Sequence, residues 1–245
     1  TYAAAPIRGD VTAVRRQTNL ATGEYVTVQT TDYDSTHFYL PIRTTDANGH
    51  ATLTGYDDPG WRYPTVITDA LGHVTRYGYD YLLGKVMTET TPNGITLYRY
   101  DTFGRLTKVI RPGDTEAMPT TKYQYCDTCA PLSTTVSTIF QYSSGTLGYT
   151  HVLRFCNGLG QMIQEDLAPT TYPPGPGGSS EMRVTRYSYN AQGLWKLYVP
   201  YTYTTSGPAV FRELEPPEPP CTVYLYDALG RIATVTNPDN TIVRT

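Results

Sequence analysis

Long apolar runs are missing from this sequence, and so is any stretch with helical periodicity of useful length. The first absence rules out a transmembrane helix, which needs about 20 consecutive apolar residues. The second argues against a helical protein. There is no surplus of positive charge: 19 Lys and Arg face 22 Asp and Glu, for a net charge of −3 and a pI near 5.8. Without a basic footprint neither nucleic acid nor a polybasic membrane contact is expected. Catalytic signatures are missing too. No GxSxG elbow, phosphate-binding GxxxxGK[ST] loop, GxGxxG fingerprint or HExxH pair occurs. No catalytic, cofactor-binding or metal-ligating residue is therefore assigned, and the chain is expected not to be an enzyme. The opening TYAAAPIRGD has neither an initiator Met nor the basic and apolar regions of a signal peptide.

Cysteine is sparse, with Cys126, Cys129, Cys156 and Cys221. An even number suits two disulfides, and four cysteines permit three pairings. Cys126 and Cys129 form a CxxC without a second metal-binding pair, so all four are read as disulfide candidates. A direct Cys126–Cys129 bond would close a very small loop, which favours at least one long-range bridge to Cys156 or Cys221. Phe and Trp are scarce as well, at 5 and 2, yet there are 23 Tyr. A tyrosine ring packs as a hydrophobe while its hydroxyl keeps a hydrogen-bonding tip, which suits a wall one layer thick with partly wet faces. Abundant Thr and Val add β propensity.

What the sequence does contain is a repeat. Its clearest copy is Tyr98-Arg99-Tyr100-Asp101-Thr102-Phe103-Gly104-Arg105-Leu106-Thr107-Lys108-Val109, and a second is Tyr224-Leu225-Tyr226-Asp227-Ala228-Leu229-Gly230-Arg231-Ile232-Ala233-Thr234-Val235. A third has Tyr77, Tyr79 and Asp80, with one extra residue before Gly84. Divergent copies are centred on Tyr56-Asp57, on Phe155-Cys156-Asn157-Gly158-Leu159-Gly160-Gln161, and on Tyr187, Tyr189, Asn190 and Gly193. Asp46-Ala47-Asn48-Gly49-His50 and Asp69-Ala70-Leu71-Gly72-His73 keep the turn alone.

Each part of the unit has a mechanical reading. Side chains alternate along a strand, so the two rings of Tyr-x-Tyr share a face. The Asp caps a turn through backbone N–H groups ahead of it, and the Gly supplies the positive φ that closes it. Arg105 and Arg231 open the return strand, and His50 and His73 stand in the same place, which points to a structural role rather than a metal site. Asp80, Asp101 and Asp227 are read as turn caps, not as paired acids. The result is a series of β-hairpins with a period of roughly 20 to 25 residues, each burying its face against its neighbours.

One domain over residues 1–245 is expected, with regular repeats at 45–125 and divergent ones at 150–245. Pro- and Gly-rich loops interrupt it at 166–182 and 204–221. Residues 98–109 and 224–235 resemble the YD-repeat signature of RHS proteins. The run through Phe155–Gln161, Tyr189–Leu194, Tyr198-Val199-Pro200-Tyr201 and Tyr226–Arg231 is similar to the repeat region of the B component of insecticidal toxin complexes. The resemblance implies an all-β array of hairpins forming a curved or hollow shell or barrel that holds a toxic segment. Family shells are several times longer, and their self-cleaving ending has no counterpart here. Two readings stay open: part of a shell whose partners are further YD repeats of the same polypeptide, or a secreted subunit polymerising with identical copies into a filament. A glycan-binding module resting on Trp61, Trp195 and nearby tyrosines is a weaker alternative. All of them place the chain outside the cell or on its surface.

Overall fold

The computed structural model describes residues 10–141, 147–168, 180–205, 211 and 221–244. The described residues are all-β, without a helix. They form two compact units, one of Thr1–Arg105 with Arg111–Gly113 and one of Leu106–Ile110 with Asp114–Thr245.

The first unit contains β1 (Ala13–Asn19), β2 (Glu24–Tyr33), β3 (Pro41–Asp46), β4 (Ala51–Tyr56), β5 (Pro64–Thr68), β6 (Val74–Asp80), β7 (Lys85–Thr91) and β8 (Gly94–Tyr100). Each strand pairs antiparallel with the next, so the unit is a plain meander. The second unit continues the pattern with β9 (Leu106–Ile110), β10 (Thr121–Cys126), β11 (Leu132–Gln141), β12 (Leu147–Cys156), β13 (Met162–Ala168), β14 (Ser180–Tyr189), β15 (Trp195–Thr205), β16 (Thr222–Tyr226), β17 (Ile232–Thr236) and β18 (Ile242–Arg244). Again every strand pairs antiparallel with its successor. The Pro- and Gly-rich connections expected at 166–182 and 204–221 lie largely outside the described residues.

Few side chains are deeply buried. The buried apolar ones are Ile110, Leu153, Phe155 and Val184, all in the second unit. Strands β5 to β8 are mostly half-buried, as a single layer with two partly wet faces must be, while β1 and β18 are exposed along their length. Tyr77, Tyr79, Tyr98 and Tyr100 are part-buried with their hydroxyls hydrogen-bonded, which is why tyrosine rather than leucine fills these positions.

One irregularity recurs. At the end of an even strand the ladder skips a residue on the following odd strand: Asp32 pairs with Arg43 but Tyr33 with Pro41, Gly55 with Val66 but Tyr56 with Pro64, and Gly78 with Thr88 but Tyr79 with Val86. In the second unit Phe155/Cys156, Ser188/Tyr189 and Leu225/Tyr226 show the same shift. The return strand thus starts with a β-bulge, which raises the local twist and re-aims the side chains next to the turn.

Candidate functional site

The repeated turn between strands is a small, complete hydrogen-bonding machine. At Asp101, Oδ1 accepts the N–H groups of Phe103 and Arg105, both at 2.9 Å, while Oδ2 accepts Arg105 Nε at 2.7 Å. The Asp101 N–H donates to the Arg105 carbonyl and the Gly104 N–H to the Asp101 carbonyl. Closing the loop this way puts Gly104 at φ 74°, a region in which a side chain costs energy. Asp227 repeats the pattern with Leu229 and Arg231, and Gly230 stands at φ 77°. Asp46 and Asp69 do the same with His50 and His73, whose Nδ1 atoms lie 2.9 Å from the carboxylates. Asn157 and Asn190 keep the two backbone bonds at 2.9–3.0 Å. The position four residues after the acid thus takes Arg, His, Gln or Leu, because the turn requires only its backbone N–H.

These bonds hold the acids in their charged form. The His50 backbone N–H lowers the pKa of Asp46, the His73 ring that of Asp69, and the Arg231 backbone N–H that of Asp227. Around Asp101 partial desolvation works the other way, and the Arg105 N–H and guanidinium outweigh it.

Several turns depart from the pattern, three of them with consequences for their neighbours. The extra residue before Gly84 leaves Asp80 capping Leu82 and Leu83 at 2.8 and 3.1 Å. Asp57 starts a longer loop in which its buried carboxylate accepts the N–H groups of Arg62 and Tyr63 at 2.6 and 2.7 Å. That loop lifts Trp61 into a parallel stack with His37 of the preceding even-to-odd turn, 3.9 Å between ring centres. In the third, Cys126 and Cys129 are bonded to each other, with Cα atoms 5.4 Å apart.

This corrects the expectation of a long-range bridge: Cys156 and Cys221 are free thiols. The reason is geometric. The turn leaving β10 brings Cys126 and Cys129 within disulfide reach. Cys156, by contrast, ends β12 with Leu132 and Met162 as its ladder partners.

A second device closes six of the hairpins and was not read from the sequence. The last tyrosine of an even strand donates its hydroxyl to a backbone carbonyl at or near the start of the preceding odd strand. Tyr56 bonds Pro41 O, Tyr79 bonds Pro64 O, Tyr100 bonds Val86 O, Tyr125 bonds Leu106 O and Tyr189 bonds Met162 O, at 2.7–2.9 Å. Tyr33 reaches Val11 O in the same manner at 3.0 Å. Cys156 occupies this position on β12. The turns also touch each other. Within the first unit a Cβ at Gly84 would meet Tyr63 Oη at 3.1 Å and one at Gly104 would meet Leu83 at 3.8 Å. Within the second, Gln161 Nε2 donates to Gly193 O at 3.3 Å, and Leu194 lies 3.5 Å from where a Cβ at Gly230 would be. Along the even-to-odd end of each meander these successive turns pack together into a locked edge.

The first tyrosine of each pair has other partners. Tyr98 donates to Glu89 Oε2 at 2.8 Å, and burial followed by the Glu89 carboxylate pushes its pKa up to about 12. Tyr187 and Tyr224 flank Trp195, with ring centres 5.5 and 6.4 Å away. One face of the second unit gathers buried polar groups: Ser137 Oγ lies 2.8 Å from His151 Nδ1, and Gln164 Nε2 donates to Asp166 Oδ1 at 2.7 Å. On the same face the Arg186 guanidinium lies 4.5 Å over the ring of Phe211. Among the described residues, no group of three His, Cys, Asp or Glu side chains is arranged to hold a metal ion.

Residues 81–116, which contain the clearest turn and both of its flanking tyrosines, match the RHS Repeat family. No curated protein sequence matches the chain. Among solved structures the chain is similar to that described as the crystal structure of TcdB2-TccC3-Cdc42, with a TM-score of 0.69 at 15% identity, covering 96% of this chain and 16% of that one. The TcdB2-TccC3-TEV structure gives a TM-score of 0.69 at 13% identity, over 95% of this chain and 16% of that one. This chain thus spans about one-sixth of the length of the chains it matches. Residues 81–116 thus match an RHS repeat, and over almost its whole length the chain has an all-β fold similar to part of the chains in the TcdB2-TccC3 structures.

Proposed function

We propose that the chain acts as a structural wall, a stretch of β-shell of the kind that encloses a toxic segment, and that it performs no catalysis of its own. The observation that carries this reading is the close approach of successive turns at the locked edge: His37 stacked on Trp61, Gln161 donating to Gly193 O, and the glycines Gly84, Gly104 and Gly230 lying beside Tyr63, Leu83 and Leu194. Side chains that converge in an enzyme to make a site are here spent on joining one hairpin to its neighbour. Ser137 and His151 share a hydrogen bond, but in a buried face of the sheet. The Cys126–Cys129 disulfide supports an oxidising compartment, and so an extracellular or surface location.

The second reading, a subunit of an extracellular filament, draws on the outermost strands. Every residue of β1 and of β18 is exposed, so each offers a strand edge to a further strand. Further repeats of the same polypeptide complete these edges in a shell, and identical copies complete them in a filament. Electron microscopy of the native material separates the two: closed hollow particles are expected, and indefinitely long threads would replace the shell reading with the filament.

A further inference from the structure

Asn48-Gly49, Asn93-Gly94 and Asn157-Gly158 all lie in turns, and the fold restrains them to different degrees. An asparagine before glycine is prone to lose its side-chain amide, because glycine lets its own backbone nitrogen approach the asparagine Cγ. That approach needs freedom in both groups. Asn157 has none. Its Oδ1 accepts the N–H groups of Leu159 and Gln161, both at 3.0 Å, and its Nδ2 donates to Gln161 Oε1 at 2.8 Å. Asn48 has an unbonded amide among the described residues, but its backbone is clamped. The Asn48 and His50 N–H groups donate to Asp46 Oδ1 at 2.8 and 2.9 Å, and Gly49 N, the attacking atom, donates to Asp46 O at 3.1 Å.

Asn93 is the loosest of the three. It is exposed, and its amide has no partner among the described residues. The bonds across its turn are long: its N–H meets Thr91 Oγ1 at 3.2 Å, and that hydroxyl meets Gly94 O at 3.4 Å. Gly94 pairs with Thr91 in the last rung of the β7–β8 ladder, and end rungs open most readily. Packing also keeps the glycine in place. Gly94 stands at φ 124°, and a Cβ there would meet the Pro112 ring at 2.7 and 2.8 Å. Pro112 lies in the next odd-to-even connection of the same unit, so Gly94 fastens one turn to its neighbour.

We propose that Asn93 is a site of spontaneous modification, at which deamidation with backbone isomerisation unfastens this turn from Pro112. Gly94 N gives up its proton and attacks Asn93 Cγ. The bond from Cγ to the amide nitrogen breaks, ammonia leaves with that proton, and a succinimide ring joins Cγ to Gly94 N. Water then opens the ring. Cleavage at Cγ leaves an aspartate, and cleavage at the backbone carbonyl leaves an isoaspartate, whose main chain runs through the side chain. No enzyme, oxidant or cofactor takes part, and either product makes the net charge of −3 one unit more negative. The loop Pro92-Asn93 is as short as a hairpin loop can be, so the extra backbone atom of the isoaspartate displaces Gly94, while the plain aspartate leaves the turn intact.

The test is to age the intact folded chain in heavy-oxygen water at mildly alkaline pH and map its tryptic peptides. Label should enter peptide 86–99, which holds Asn93, about tenfold faster than the peptide holding Asn157, with Asn48 between them. In guanidinium, where the turns are gone, the three rates should converge. Asn48 or Asn157 converting first in the folded chain overturns the proposal, as does the same order and spread in the unfolded one. The unfastening has its own readout. Aged chain should unfold at lower urea than either fresh chain or Asn93→Asp, and Asn93→Gln should keep its midpoint through ageing. Equal midpoints for aged chain and aged Asn93→Gln would show that Gly94 stays on Pro112, against the proposal.

Discussion

Tyr100 and Val86 are fourteen residues apart in sequence, yet the tyrosine hydroxyl donates to the valine carbonyl at 2.9 Å and fixes the open end of the β7–β8 hairpin. Equivalent bonds at Tyr56, Tyr79, Tyr125 and Tyr189 make this a property of the repeat. Removing the oxygen leaves a half-buried carbonyl without that donor, at a cost of about 1 kcal/mol. Tyr100→Phe should therefore lower the urea midpoint measurably. Exposed Tyr25→Phe serves as the control and should shift it by no more than a few tenths of a kcal/mol.

The turn glycines separate two kinds of position. Gly104 sits at φ 74°, and Gly158, one position before Leu159 in its turn, has open space around it and no positive φ. Gly104→Ala is expected to cost about 1 kcal/mol and Gly104→Val more, while Gly158→Ala stays near neutral. Equal losses for Gly104→Ala and Gly158→Ala in thermal unfolding would count against the turn geometry.

Acid should loosen the same turns. The pKa values of Asp46, Asp69, Asp101 and Asp227 are all lowered in the folded chain. Their contribution to stability is thus present above the ordinary carboxylate pKa of about 4 and is lost as pH falls through the lower, folded values. Asp101→Asn with Asp227→Asn should keep most of the stability at neutral pH, because Asn157 and Asn190 cap their turns with the same two backbone bonds. The double variant should also show a shallower decline of unfolding midpoint between pH 5 and pH 2, a window of about three units around those pKa values.

Non-reducing peptide mapping should find Cys126 and Cys129 linked within one peptide and Cys156 and Cys221 open to alkylation. Reduction should cost about 2 kcal/mol or less, since the loop closed is only a few residues long. A bridge between Cys126 or Cys129 and Cys221 would contradict this arrangement.

Much of this was legible in the residues themselves, because the YD turn is local. Asp101, Gly104 and Arg105 are close enough along the chain for their chemistry to fix their geometry, and His50 and His73 betrayed their role by standing where Arg105 and Arg231 stand. What was not legible joins residues far apart. The acceptor of each tyrosine hydroxyl lies 14 to 27 residues earlier for Tyr56, Tyr79, Tyr100, Tyr125 and Tyr189, at a spacing set by the loop between. Its only local signal is a tyrosine directly before the turn, which Tyr33, Tyr56 and Tyr125 show as plainly as Tyr100. The bulge falls on the skipped residue of the return strand, Ile42, Thr65, Met87, Ile163 or Ala233, and these residues have no one side chain in common that would mark it. The cysteine pairing went astray because loop entropy was weighed for the bond alone, when the turn had already brought Cys126 and Cys129 together.

In the second unit the tyrosine bonds from Tyr125 and Tyr189 and the turns at Asn157, Asn190 and Asp227 act at the even-to-odd end of the strands, whereas β11 joins β12, β13 joins β14 and β15 joins β16 at the other end. Lengthening a connection there adds only a slowly growing loop-closure cost and disturbs none of those bonds. The scaffold is thus asymmetric as a display platform. Foreign peptides spliced into those three connections should be carried without loss of register, while the same peptides placed between Asn157 and Gln161 should unravel the strands they interrupt.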